Sequence, residues 1–364
     1  MSVYLVALFM ILFLGMIMAG PKSTANNKKA YVIIIAFALF FVAAFRSYKV
    51  GVDTKQFCDA YVRIGYEGVA AFELERYEYL FTGLCLVLNK ISRNYQLLII
   101  VSSALCTFPV AYLIYSCSED VSLSLFLYVT LNMFFSSMNT MRQSMAIGVL
   151  AIGLVWLMKG KNWPFVLSVL VAFLFHRSAV FALVLLLVRG RDFSNRNFVL
   201  YLLGAAFAFL FSGPIVRAVT AAYGRDVLYT EEFMGSNYYG ALINAAVALV
   251  CCVLCVNYFS IAHKKGEDGP YDGFFMHGMM LWVLFAVFKM RVEIVGRLMY
   301  YFMPFAILAI PTAFKRVQGQ ERQIVTMAVC ACFLIYFVVI GIARPEWYGV
   351  IPYVADLHSV LTIF

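Results

Sequence analysis

The chain has 364 residues, 64% of them hydrophobic and only 13% charged, with a mean hydropathy of +0.87, whereas soluble domains run at about 45–50% apolar and about 25% charged. A water-soluble fold of this length has no way to hide so much apolar surface, so the composition excludes a soluble enzyme and predicts a polytopic integral membrane protein. The formal charge of +9 would suggest nucleic acid in a soluble protein; in a membrane protein it acts through its division between the two faces, and no nucleic-acid partner is expected.

A bilayer core about 30 Å thick takes about 20 apolar residues per helix, so the chain supplies on the order of ten to twelve spans and no separate soluble domain. Residues 1–364 are therefore read as one transmembrane domain. Backbone groups in hydrocarbon must be satisfied internally, and apolar runs without a period of two favour helices over a barrel. The expected fold class is all-α, with about twelve transmembrane helices.

The opening run from Val3 to Gly20 lacks a basic leading segment and is followed at once by Lys22, Lys28 and Lys29. It reads as a retained first span with its N-terminus outside and the next loop in the cytoplasm. A second span, from about Ala30 to Phe45, leads into the longest polar stretch of the chain, an exterior loop over 46–94. Within it, Glu78 to Ile91 mixes apolar and polar residues and is short for a span, as an interfacial amphipathic helix would be.

Further apolar runs begin near Tyr95, Val121, Gln143, Trp163, Ser178, Phe198, Tyr239, Gly273, Leu298 and Ile324. The stretch from Trp163 to Val188 reads either as a short pair or as one tilted helix. Basic connections at Lys159–Asn162, Arg189–Asn197, His263–Asp272 and Lys315–Gln323 read as cytoplasmic. The alternate connections are then exterior: 46–94, the Asn139–Arg142 corner, the His176 corner, a second loop over 213–238, Lys289–Arg297, and the chain from Arg344 onward.

Most of the nine cysteines, including Cys106, Cys251, Cys252, Cys255, Cys330 and Cys332, lie in apolar runs, where packing is the common role. Cys58 and Cys85 fall in the exterior segment, where a disulfide is an alternative. The spacing gives no metal motif, so neither a metal nor another cofactor is expected.

Four polar islands carry the candidate chemistry. The first, Arg46, Lys49, Asp53, Lys55 and Asp59, mixes both signs with several tyrosines, either as a solvated loop or as a carbohydrate-binding surface, since carboxylates accept from sugar hydroxyls and aromatic faces stack on sugar rings. Arg142 is the sharpest feature: it interrupts a long, otherwise apolar stretch, which marks either a functional cation or a side chain snorkelling to water. His176 and Arg177 interrupt another, where the histidine is either a helix-end cap or a general base. Arg291, Glu293 and Arg297 form the last, followed by Tyr301. Guanidinium forks bind phosphate oxygens bidentately, so several arginines near one membrane surface suit a lipid-linked pyrophosphate.

Arg46 with Val50-Gly51-Val52-Asp53-Thr54, Tyr77-Glu78-Tyr79, Leu88-Asn89-Lys90 to Asn94-Tyr95-Gln96, Met141-Arg142-Gln143-Ser144-Met145-Ala146, His176-Arg177-Ser178-Ala179, Arg297, and Trp347, Pro352 and Tyr353 form an ordered set running nearly end to end. In this set the chain resembles the EpsG-type membrane proteins, which belong with the Wzy-like polymerases of bacterial surface polysaccharides. It departs from them in a tail after Tyr353 and at Tyr79 to Thr82.

The resemblance implies a GT-C-like helical bundle and a metal-independent glycosyltransferase. It would polymerise lipid-linked repeat units into O-antigen, capsule or exopolysaccharide at the periplasmic or exterior face of the bacterial cytoplasmic membrane. The implied partners are the bilayer, the undecaprenyl-pyrophosphate-linked oligosaccharide donor and acceptor, and chain-length-regulator and flippase proteins. Arg142 and Arg297, supported by Arg46 and Arg291, suit the pyrophosphate. Glu78, Asp53 and His176 compete as the base, and Tyr77, Tyr301, Trp347 and Tyr353 are candidates for substrate contact. A flippase of lipid-linked oligosaccharide is the competing class, although no two-fold internal repeat supports it. A sugar acyltransferase is a third, supported only by His176.

Overall fold

The computed structural model describes residues 1–20, 22–222, 238–317 and 319–363. In chain order its α-helices are α1 (Ser2–Met18), α2 (Ala25–Ala44), α3 (Thr54–Glu67), α4 (Ala71–Leu74), α5 (Tyr79–Asn89), α6 (Gln96–Cys117), α7 (Val121–Thr130), α8 (Met133–Asn139), α9 (Met141–Met158) and α10 (Asn162–Phe175). They continue with α11 (Val184–Val188), α12 (Asn195–Leu210), α13 (Ser212–Ala222), α14 (Tyr238–Lys265), α15 (Asp272–Lys289), α16 (Gly296–Phe302), α17 (Pro304–Lys315), α18 (Gly319–Ala343) and α19 (Leu357–Leu361). The chain is an all-α, multi-pass membrane protein.

Among the described residues, α2, α6, α9, α14, α15 and α18 are long and apolar enough to cross a membrane, six in all, or up to nine if each of three bent pairs is one span. The expected twelve are not reached by length, because several apolar runs are broken or short. The run from Val121 bends by 52° where Asn132 takes a left-handed φ of 62°, a conformation that Asn tolerates better than most residues. The run through Leu298 bends by 44° at Pro304, whose nitrogen has no proton to donate to the preceding turn. Between Trp163 and Val188 the chain forms the short pair, because His176 adopts extended backbone between α10 and a 3-10 turn over Arg177–Leu183.

The polar segment 46–94 holds α3 as well as α5, and α3 was not foreseen. Of the second loop, 213–238, residues up to Ala222 belong to α13, and 223–237 lie outside the described residues. Cys58 and Cys85 are free, buried thiols, so the alternative of a disulfide between them is not realised.

The chain divides into two compact units, Met1–Val180 with Gln323–Phe364, and Phe181–Arg322. In the second, α15 packs on α12, α14, α16 and α17. Tyr201 Oη and His277 Nδ1 meet at 3.1 Å, Arg316 Nη2 lies 3.1 Å from Asp272 Oδ1, and Cys252 Sγ rests 3.1 Å from Met280 Sδ.

In the first unit α2 packs on α6, α6 on α9 and α9 on α10. Lipid tails are as apolar as the side chains they meet, so close backbone approach at small residues holds such helices together. Pro109, inside α6, cannot donate to Leu105 O, four residues earlier. Gly148 of α9 approaches that same carbonyl so closely that a Cβ would sit 2.1 Å from the oxygen. An alanine there must push backbone from backbone. Gly83 of α5 is a helical glycine with room to spare, the nearest atom to a Cβ being Phe72 Cζ at 3.8 Å.

Gly148→Ala is therefore expected to destabilise the protein by about 1–3 kcal/mol. Gly83→Ala is expected to be neutral or stabilising, by up to about 1 kcal/mol, through lower chain entropy. Thermal unfolding of the two variants in detergent checks the difference in sign.

Candidate active site

Three segments of the first unit meet at Glu78. The carboxylate belongs to the residue preceding α5, where the chain is still extended. Arg142 comes from the first turn of α9, just after the Thr140 corner, and His176 from the end of α10. Arg142 Nη1 donates to Glu78 Oε2. His176 Nδ1 stands 3.4 Å from Glu78 Oε1, and the backbone N–H of Arg177 donates to that same oxygen at 3.4 Å. One carboxylate therefore faces two basic side chains and an amide. Its side chain and that of His176 are each 11% exposed, and that of Arg142 19%.

The 3.4 Å approach of Nδ1 to Oε1 is not a formed hydrogen bond, and neither ring nitrogen of His176 has a hydrogen-bond partner in the structure. Arg142 Nε is a further buried donor of this kind. Arg142 also lies over aromatic faces, 4.7 Å from the ring centre of Tyr77, 5.6 Å from Phe57 and 6.0 Å from Phe81. Such cation–π contacts strengthen when water is excluded. Tyr77 and Phe81 are four residues apart, and their rings pack edge to face at 5.3 Å.

The position of Arg142 is fixed from below. Met138 O, the carbonyl just before the corner, accepts from Thr54 Oγ1 at 3.0 Å and Arg46 Nη2 at 3.3 Å. Gly51, with φ +100°, packs so tightly on Met138 O that a Cβ would lie 2.5 Å from it. Asn139 Oδ1 accepts from the backbone N–H of Asp53 at 3.0 Å, and Asp53 O in turn accepts from the N–H of Phe57. The loop after α2 thereby sets both the corner that carries Arg142 and the helix that carries Phe57.

Of the residues singled out in the sequence, the first unit brings Tyr77, Glu78, Arg142 and His176 together. Asp53 contributes its backbone to the start of α3. Arg46 is 1% exposed, and its Nη1 donates to Ala43 O and Ser103 Oγ, so those donors face protein atoms. Tyr353 Oη donates to Val42 O at 3.0 Å, and Trp347 is half-buried with Arg344 6.0 Å from its ring. In the second unit Arg291 and Arg297 are exposed, Arg291 lying 5.4 Å from the ring of Phe209, and Tyr301 is buried. Phe57, Phe81 and the Arg177 amide were missed. No spacing signal was available for Phe81, because Tyr77 precedes the extended residue Glu78 and lies outside α5.

Burial raises the Glu78 carboxyl, but His176 and the Arg142 charge outweigh it and bring it from its ordinary 4.5 down to about 2. A carboxyl depressed on folding stabilises fully above its unfolded value and loses that contribution as pH falls toward its folded value. Glu78→Gln is thus expected to lower the melting temperature near neutral pH. The gap to wild type should close as pH falls from about 4.5 toward about 2. Melting curves in detergent at a series of pH values check this, and a gap independent of pH would contradict it.

A family model, that of the EpsG family, matches residues 29–355. Neither the curated proteins nor the solved structures contain a significant match to the chain.

Proposed function

We propose, from the premise that this chain belongs to the EpsG family of Wzy-type polysaccharide polymerases, that it joins undecaprenyl-pyrophosphate-linked oligosaccharide repeat units at the outer face of the bacterial cytoplasmic membrane. The donor is the growing glycan on its lipid pyrophosphate, and the acceptor is one lipid-linked repeat unit. The observation that carries the chemistry is the Glu78–Arg142–His176 cluster.

In the transfer, an acceptor hydroxyl oxygen bonds to the anomeric carbon of the donor as the bond from that carbon to the pyrophosphate oxygen breaks. The hydroxyl proton must go to a base, and the departing lipid pyrophosphate must meet positive charge. His176 is the better base of the three candidates. Glu78, held near pKa 2, is too weak an acceptor for efficient proton transfer, whereas its carboxylate stands 3.4 Å from the imidazole, close enough to stabilise the positive charge that the ring gains as a base. Arg142 offers the pyrophosphate a cation that stays paired with Glu78 between turnovers. The buried pair avoids leaving a guanidinium uncompensated. Arg46 acts on this reading by placing the corner rather than by binding phosphate, and Arg291 and Arg297 remain proposed phosphate contacts of the second unit.

Purified protein given lipid-linked repeat units should make a ladder of glycan lengths. Arg142→Ala is expected to slow its formation by about 10²–10³-fold, the usual range for a stabiliser of developing negative charge. His176→Asn should slow it by about 10²–10⁴-fold. Wild type and Arg142→Ala giving the same ladder would sink the assignment, and wild type moving repeat units across the bilayer without lengthening them would indicate a flippase instead.

A further inference from the structure

The segment between α3 and α5 exposes apolar side chains that the site does not use. Val69 is 82% exposed and Leu74 66%, with Tyr66, Phe72 and Tyr79 also exposed. Val69 lies in a 3-10 turn and Phe72 and Leu74 in the short helix α4, while Tyr66 lies in the last turn of α3 and Tyr79 begins α5, none of which is long enough to span a membrane.

Three observations say what meets them. First, Gln96 Nε2, at the start of α6, donates to Ala44 O, at the end of α2, at 2.7 Å. The two spans therefore end at the same level, and 45–95 lies between them without a helix long enough to cross. Second, Phe72 lies 6.1 Å ring to ring from Tyr79 of α5, and α5 packs on α10, whose Phe173 and Leu174 are exposed just before His176. Third, the polar partners suit a headgroup layer: Arg63 pairs with Glu75 at 2.9 Å, and the guanidinium of Arg93 lies 5.0 Å from the ring of Tyr66. Tyrosine and arginine flanking an apolar patch are the usual anchors of a membrane interface.

We propose that the Tyr66–Tyr79 segment is a lipid-inserted wedge, its Val69, Phe72 and Leu74 side chains lodged in the boundary between headgroups and acyl chains of the same bilayer that α2 and α6 cross. The wedge holds by apolar insertion rather than by a basic patch, because Tyr66–Tyr79 carries a single arginine, Arg76, against Glu67, Glu73, Glu75 and Glu78. It stands apart from the polymerase reading, since it concerns the depth of the segment and not the reaction.

The test places an environment-sensitive nitrobenzoxadiazole label at Val69→Cys, Leu74→Cys or, for comparison, Glu267→Cys in an exposed polar turn, with Cys117, Cys330 and Cys332 replaced by alanine. Each full-length protein is reconstituted into vesicles of phosphatidylethanolamine and phosphatidylglycerol. Labels at 69 and 74 are expected to emit at shorter wavelength than at 267, to be quenched by nitroxide lipids at a depth of about 5–10 Å, and to resist aqueous iodide. Iodide quenching of 69 and 74 as strong as that of 267, with no blue shift, would overturn the wedge. A face reserved for a soluble protein would give that same result in these vesicles. The sites are exposed, so the labelled chains should keep their fold, checked by a gel-filtration profile matching wild type.

Discussion

Arg46 holds together the three segments on which the site stands. Its guanidinium reaches back to Ala43 O in the last turn of α2, across to Ser103 of α6, and up to Met138 O at the foot of the Arg142 corner. A cation at a helix C-terminus completes carbonyls that have no helical donor and sits at the negative end of the helix dipole. A charge removed from water is tolerable only when it is hydrogen-bonded on several sides, which binds its partners to one relative geometry. The same loop is gripped from its other edge by the C-terminal segment. Ser47 N–H donates to Val354 O at 2.8 Å and Gly51 N–H to Gly349 O at 2.7 Å, while Tyr4 Oη donates to Val350 O at 2.9 Å. Segments far apart in sequence thus set where Arg142 begins its helix.

Above that foundation, a single carboxylate divides its attention between two basic groups. Were Glu78 paired with Arg142 alone, it would be a neutralised anchor. Its second oxygen turns towards His176 and the Arg177 amide instead, so the arginine and the imidazole share one counter-ion. Any anion brought to Arg142 competes with Glu78 for that guanidinium.

Much of this was legible in the sequence, and for a reason: charge inside an apolar run is expensive, so Arg142, His176 and the Arg291–Arg297 island stood out against their surroundings. Glu78 was harder, because it lies in a polar stretch among other acids, and its weight came only from the resemblance. The role of Arg46 was not legible, since a guanidinium that caps carbonyls and one that awaits phosphate look alike as a letter in a row. The Met138 carbonyl carried no signal at all, because backbone acceptors are common to every residue. The bends inside the runs from Val121 and Leu298 were not legible for a related reason: hydropathy is blind to the left-handed turn at Asn132 and to the bend at Pro304.

The lengths of the helices that carry the site bear on where it can work. α10 has 14 residues and α5 has 11. At about 1.5 Å per residue, both fall short of a hydrocarbon core about 30 Å thick. The first residues of α10 include Trp163, 77% exposed, and tryptophan favours the headgroup level. With that end at one interface, a 14-residue helix rises only about 21 Å, so His176 at its other end stops short of the opposite surface. Neither α10 nor α5, which border the cluster, is long enough to carry it across the hydrocarbon core. In the first unit, two helices too short to span therefore hold two of the three residues of the cluster, Glu78 at the start of α5 and His176 at the end of α10.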